Sequence, residues 1–277
     1  MSTAPAPGNN NRPQTPLVVS ADWPFIAGLS LLGGSYIVLL VLMVVAEFSF
    51  ASTSEMVRLL KSPDIQFSIR LTLLSCTISA VLSVWVAVPV GYLMSRFSFP
   101  GKGMVEAVLD IPIVLPPLII GCCLLILFNY PPFSWMSDAV VFEWPAVVLA
   151  QFVVACAFAV RTMRVSFDQI PTRYEDVALT LGCNRGQAFW RVVMPQARRG
   201  IVAALTLAWA RSLGEFGPIL VFAGSTPMRT EVLSTSFFLE MQSGNLRGMV
   251  AISIIMISCA VVVLAMARLF GLRRADL

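Results

Sequence analysis

The chain has 277 residues and not one histidine. That excludes Ser-His-Asp and Cys-His catalysis, and the HExxH metal motif, within this chain. There is no Walker A sequence and no Rossmann fingerprint, so the chain has no nucleotide cradle of the usual kinds. Charge is scarce as well: 12% of residues are charged, where a soluble domain carries about 25%. The six cysteines, Cys76, Cys122, Cys123, Cys156, Cys183 and Cys259, form no CxxC pair and no metal-ligand spacing. They are expected to act as small apolar packing residues, and no metal site is expected. No repeat at solenoid periods is present.

What is abundant is apolar sequence. Hydrophobic residues make up 57% of the chain, and the mean hydropathy is +0.83. This is the composition of an integral membrane protein. Six apolar stretches lie near 24–47, 68–94, 105–128, 140–160, 201–223 and 248–270, each close to the ~20 residues a spanning helix needs. The expected fold is all-α, with six transmembrane helices. Residues 1–22 are rich in Pro, Asn and Ser and read as a disordered tail, with the membrane domain at 23–277. The first stretch is long and follows a weakly charged leader, which fits a retained helix better than a cleaved signal peptide.

The basic residues set an orientation. Arg96 and Lys102 lie between stretches two and three. Arg161, Arg164, Arg173, Arg185, Arg191, Arg198 and Arg199 lie between four and five, and Arg268, Arg273 and Arg274 follow six. The segment between three and four carries Asp138 and Glu143 and no Lys or Arg. By the positive-inside rule, both termini and the 161–200 loop face the cytoplasm.

That loop is the most informative part of the chain. Thr172 and Glu175 have the spacing of a capping box, Gly182 sits where a helix end needs a left-handed residue, and Asn184 with Gln187 can start a second helix. Pro195 is expected to end that second helix. Val177, Ala178 and Leu181 recur at helical spacing, as do Ala188, Phe189, Val192 and Val193. The result is a helix–turn–helix with apolar faces and basic flanks, suited to docking. A DNA-binding helix-turn-helix is a competing reading, given Arg185, Arg191, Arg198 and Arg199. Membrane spans close on both sides argue against it, and no nucleic-acid partner is expected.

At these residues the chain resembles the EAA loop of ABC importer permeases. The family's acidic residue, small residues, glycine and aliphatic-x-aliphatic-Pro fall on Asp176, Val177, Ala178, Gly182, and then Val192, Met194 and Pro195. Asp176 stands where glutamate is usual, with Glu175 before it, and Val177 stands where alanine is usual. The resemblance implies a coupling loop, 172–195, that seats in a cleft of a partner ATPase. Glu175, Asp176, Ala178, Gly182, Val192 and Pro195 would be its coupling residues, and Asp176 the favoured acid by register.

Two apolar stretches hold polar or helix-breaking residues that call for a reason. In the fifth, Arg211 and Glu215 are four apart and share a helix face, with Gly214 and Gly217 beside the glutamate. Charges at such depth are costly and face a cavity or a partner. They read either as a structural pair or as part of a pathway, with gating, or the ordering of Arg211, the expected function. The third stretch contains Pro112, Pro116 and Pro117. They imply a broken helix bordering protein or a cavity, or a simple packing kink. An intramembrane enzyme built on Asp110, Arg211 and Glu215 is the rival class, but no acidic pair shares a helical face and no nucleophile has a base.

The runs Leu213-Gly-Glu-Phe-Gly217, Phe222-Ala-Gly-Ser-Thr-Pro-Met-Arg-Thr230 and Pro112-Ile-Val-Leu-Pro-Pro117 resemble the molybdate, tungstate and sulfate branch of these permeases. The resemblance implies a prokaryotic inner-membrane permease subunit of an oxyanion importer. Its partners would be a second, identical permease subunit, two ATPase subunits that bind the ATP and Mg, an extracytoplasmic binding protein and the bilayer. Arg211, Gly214, Glu215, Gly217, Pro116 and Pro117 would line or gate the pathway.

The orientation is testable in a variant lacking the native cysteines. Cysteines introduced at Ser137 and Ser225 should react in intact cells with an impermeant thiol reagent, and one at Gln187 should not. External labelling at position 187 would overturn the assignment.

Overall fold

The computed structural model describes residues 23–273, with side chains as far as Ala265. The expected disordered tail, Arg274, and the side chains of Arg268 and Arg273 lie outside the described residues. Every regular element among those residues is helical. Helix α1, Trp23–Phe50, is 28 residues long, strongly apolar with Glu47 its one charged residue, and buries none of its residues. It falls in a separate unit ending at Ser49.

The second unit starts at Phe50. It runs α2 (Thr53–Lys61), α3 (Pro63–Arg96), α4 (Lys102–Val114), α5 (Pro117–Asn129), the single turn α6 (Ser137–Val140) and α7 (Trp144–Asp168). The loop helices α8 (Arg173–Thr180) and α9 (Arg185–Ala188) follow. A π turn (Phe189–Val193) leads into α10 (Met194–Leu213), and α11 (Gly217–Phe222), α12 (Leu233–Gln242) and α13 (Leu246–Arg273) complete it.

Helices α3, α7 and α10 pack together and hold the main core. Small residues permit this. The face of α3 buried in the bundle reads Ser68, Thr72, Ser75, Cys76, Ser79, Ala80, Ser83, Ala87 and Gly91. Opposite it, α7 offers Ala155, Ala159 and Val160, and α10 offers Ala197, Ala204 and Ala208. Between apolar helices in a bilayer there is little hydrophobic gain on contact, so close backbone approach and hydrogen bonds supply the attraction. Accordingly, Ser79 donates to the Val148 carbonyl at 2.9 Å, and Gln151 is buried between the helices with its amide 3.6 Å from Cys76 Sγ. Of the cysteines expected to pack, only Cys76 is fully buried; Cys122 and Cys123 are exposed.

The span count differs from the expectation. Among the described residues, four helices are long and apolar enough to cross a membrane: α1, α3, α7 and Leu246–Ala265 of α13. The pair α4 and α5 makes a fifth only as a bent unit, turned by 112° at its break. The expected stretch 201–223 is not one helix. It divides into α10 and α11, with Gly214 closing the first and Gly217-Pro218 opening the second. Glycine weakens the helix and proline removes a donor, so an apolar run did not guarantee a continuous helix.

Gly91 permits a close approach of α3 to α7. A Cβ there would lie 2.9 Å from Met163 Cβ and 3.0 Å from the Arg164 backbone nitrogen. Gly91→Val should therefore cost about 1–3 kcal/mol, seen as a lower midpoint in a detergent thermal-unfolding assay. An unchanged midpoint would show that the interface yields freely.

Candidate functional site

Two sites emerge, one in the loop and one where the broken helices meet. In the loop, α8 ends as the sequence foretold. Gly182 has φ +89°. Cys183 N–H donates to the Ala178 carbonyl and Gly182 N–H to that of Leu179, both at 3.0 Å. These are the two bonds of a Schellman cap, and only glycine takes the left-handed position without strain. Asn184 and Gln187 form the reciprocal capping box that starts α9, at 2.8 and 3.0 Å.

Two local expectations fail. Thr172 is already helical, with φ −59°, and makes no side-chain cap. Glu175 does not reach back to it, because Arg96 Nε and Tyr92 Oη hold its two carboxylate oxygens, at 2.6 and 2.7 Å. A charge-assisted bond to a guanidinium outweighs a bond to one backbone N–H. Nor does Pro195 end a helix. It lies in the first turn of α10, and the π turn before it carries the helical path on from α9.

The loop displays apolar side chains to solvent. Val177, Leu181, Tyr174 and Trp190 are all more than half exposed, while Ala178 is buried beneath α8. Asp176 and Pro195 are exposed, and Val192 is half-buried. Asp176, with Glu175, Tyr92, Arg96, Thr172 and Arg185, lines a cavity of about 330 Å³ under α8.

The second site is a cavity of about 310 Å³. Its lining includes Pro116 and Pro117 from the α4–α5 break and Arg211, Gly214, Glu215 and Gly217 from the α10–α11 break. All six residues singled out in the sequence thus meet at one place. Gly217 allows the contact: a Cβ there would lie 3.0 Å from both Leu118 N and Pro117 Cβ. Gly121 does the same from α5, with its Cβ position 2.9 Å from Pro218 Cα. Gly214 plays a different part from the expected one. It closes α10 and has no neighbouring helix within 3.9 Å of its Cβ position.

Arg211 and Glu215 pair at 2.6 Å. They are not on one helix face, because Glu215 lies past the end of α10. The Glu215 side chain is 1% exposed and that of Arg211 28%, so Arg211 is the more accessible member of a pair whose members both line the cavity. It also lies 5.6 Å from the Phe158 ring centroid. Ser234 Oγ donates to the Glu215 carbonyl at 2.8 Å, which satisfies backbone freed by the break. Asp110 sits elsewhere, beside Glu106, Arg161 and Arg164. The enzyme-like grouping of Asp110 with Arg211 and Glu215 therefore does not form.

Further along, Arg229 is bonded to Glu143, which holds its guanidinium above its ordinary value. Burial raises the Glu231 carboxyl, against the Ser236 hydroxyl bonded to it and with added repulsion from Asp64 and Glu240. The sequence reading missed Tyr92 and Arg96 as site residues. Their signal was present: they are four apart at the end of a helix, so they share a face that the loop must meet.

The family model described as binding-protein-dependent transport system inner membrane component matches residues 87–276. The sulfate transport system permease protein CysT of Escherichia coli (strain K12) is 30% identical over 246 residues, covering 86% of this chain and 88% of that protein. The molybdate/tungstate transport system permease protein WtpB of Thermococcus kodakarensis is 32% identical over 219 residues, covering 79% and 84%. Among solved structures, a bacterial ABC transporter involved in import of the acidic polysaccharide alginate has a subunit of similar fold. Its TM-score is 0.72 at 18% identity, covering 91% of this chain and 96% of that one. The α4–α5 break, the α8–α9 loop and the α10–α11 break all lie within the matched residues, and the chain belongs to the family of binding-protein-dependent transport system inner membrane components.

Proposed function

We propose that the chain is the permease subunit of an ABC importer for an oxyanion, with molybdate or tungstate favoured and sulfate the alternative. One observation carries the pathway reading: two broken helices meet at a cavity that receives the Arg211 guanidinium. Irregular backbone at membrane depth is tolerated where it lines a cavity, and a cation there suits an anionic cargo. The named relatives transport sulfate or molybdate and tungstate, which supports the same class. Glu215 balances Arg211 in the resting state, so a passing anion would compete with it for the guanidinium. Gating follows from that exchange.

In this reading the chain crosses the inner membrane six times, with α10 and α11 as one broken span and both termini in the cytoplasm. It works beside a second permease subunit, an extracytoplasmic binding protein and two ATPase subunits, which would bind ATP and Mg and do the hydrolysis. The α8–α9 loop docks in the ATPase. Trp190, Tyr174 and Leu181 supply apolar anchors of the kind that dominate interfaces, and Asp176 is the acid left free to face the partner.

Two experiments test the proposal. Gly182→Val places a β-branched residue at positive φ, at a cost of about 1–3 kcal/mol. Membrane levels should hold while ATPase co-purification and transport fall. Normal substrate-stimulated ATP hydrolysis in this variant would sink the coupling role. For the pathway, Arg211→Ala leaves Glu215 buried and unpaired, a loss of about 3–5 kcal/mol. Folded yield should drop, and the Arg211→Ala/Glu215→Ala double variant should regain yield but not transport. Full transport by Glu215→Ala at normal expression would remove the pair from the mechanism.

A further inference from the structure

The end of α3 is tied to the loop more thoroughly than a helix end requires. Both oxygens of Glu175 are taken by one face of α3, from Arg96 Nε at 2.6 Å and Tyr92 Oη at 2.7 Å. Arg96 Nη2 also donates to the Ile170 carbonyl at 2.8 Å, and Ser95 Oγ donates to Asp168 Oδ1 at 2.6 Å. The Arg96 and Glu175 side chains are 8% and 13% exposed. Tyr92 packs edge-on against Phe167 at the end of α7 and against Phe189 in the π turn, at 5.6 and 4.7 Å between centroids. Four segments therefore converge on the last turns of one helix.

The far part of the same helix is tied to another element. Thr72 Oγ1 accepts the Leu233 N–H at 2.9 Å, and Ser68 Oγ lies 3.3 Å from Ser236 Oγ. Leu233 and Ser236 are in the first turn of α12, whose Ser234 holds the Glu215 carbonyl at the cavity. At about 1.5 Å per residue, Thr72 and Arg96 are roughly 36 Å apart along α3. One helix thus joins the coupling loop to the segment that supports the α10–α11 break.

We infer that α3 is a second transmission rod, beside the direct route from α9 into α10, and that Arg96 and Tyr92 are positioning residues that fasten the loop to it. Glu175 is then an internal anchor, not the acid offered to the ATPase. Arginine suits the task because its planar fork grips a carboxylate and a carbonyl together, which one ammonium on a flexible stem cannot do. The inference rests on the importer reading above.

The test uses the assembled transporter with its binding protein, supplied with sodium molybdate or sodium sulfate. Arg96→Lys keeps a positive charge beside Glu175 but loses the double grip. ATPase subunits should still co-purify, while the ratio of ATP hydrolysis with and without loaded binding protein falls about tenfold. Tyr92→Phe removes one bond and should lower the ratio less. Adding Glu175→Gln to Arg96→Lys should change little more, since both act through one contact. A wild-type ratio in Arg96→Lys on a competent transporter would overturn this inference alone. So would a lowered thermal midpoint with both hydrolysis rates reduced in the same proportion, which marks a static clamp. Wild-type protein that recruits no ATPase would overturn the importer reading and this inference together.

Discussion

A chain in hydrocarbon must satisfy its own backbone, and most of this architecture follows from two places where it cannot do so within a single helix. The α4–α5 and α10–α11 breaks each release N–H and C=O groups that have no water to turn to. The fold answers by bringing the breaks together. Gly217 lets the start of α11 lie against Pro117 and Leu118, Gly121 lets Pro218 approach α5, and Ser234 reaches across from α12 to the Glu215 carbonyl. Once the breaks face one another, a cavity is unavoidable, because neither can be filled by a regular side-chain ridge. The most costly local structure thereby lines one of the cavities that can admit a polar solute.

The sequence revealed these features unevenly. Periodicity and composition marked α1, α3, α7 and α13, because a long apolar run with few breakers has one low-energy form in a bilayer. The Gly182 cap and the Asn184–Gln187 box were legible because each is closed by residues a few positions apart. The six residues that line the second cavity were legible because charge, glycine and proline are expensive at depth. What could not be read was decided by partners distant in sequence. Glu175 had a plausible local use as the far end of a capping box, and lost it to Arg96 and Tyr92, about eighty residues earlier in the chain. The break at Gly214 was hidden because hydropathy averages over a window, whereas a helix ends at single residues.

Charge is divided between the two sites by the same logic. Glu175 and Glu215 are adjacent to other acids or breaks in sequence, yet each is withdrawn into an ion pair with an arginine, at 2.6 Å in both cases. Their partners differ in exposure: Arg96 is almost sealed, whereas Arg211 keeps more than a quarter of its side chain accessible. A sealed pair resists exchange, since separating it strands two charges in a low dielectric. A pair open on its arginine side can offer that guanidinium to a further anion while Glu215 stays bound to it. The first arrangement suits a fastening and the second a gate.

The helices around these pairs follow from their mechanical demands. A fastening transmits motion only if the element behind it is stiff. Helix α3 continues unbroken for 34 residues even through Pro89, and Gly91 lets its small-residue face lie close against α7. At the α10–α11 break the chain does the opposite, with a glycine on either side of Glu215 and only six residues of helix beyond it. The continuity of α3 and the break at Gly214–Gly217 thus both turn on where small residues fall along the chain. Where small residues face another helix, as at Gly91 and Gly217, they permit close packing, and Gly214 instead ends a helix beside a buried charge.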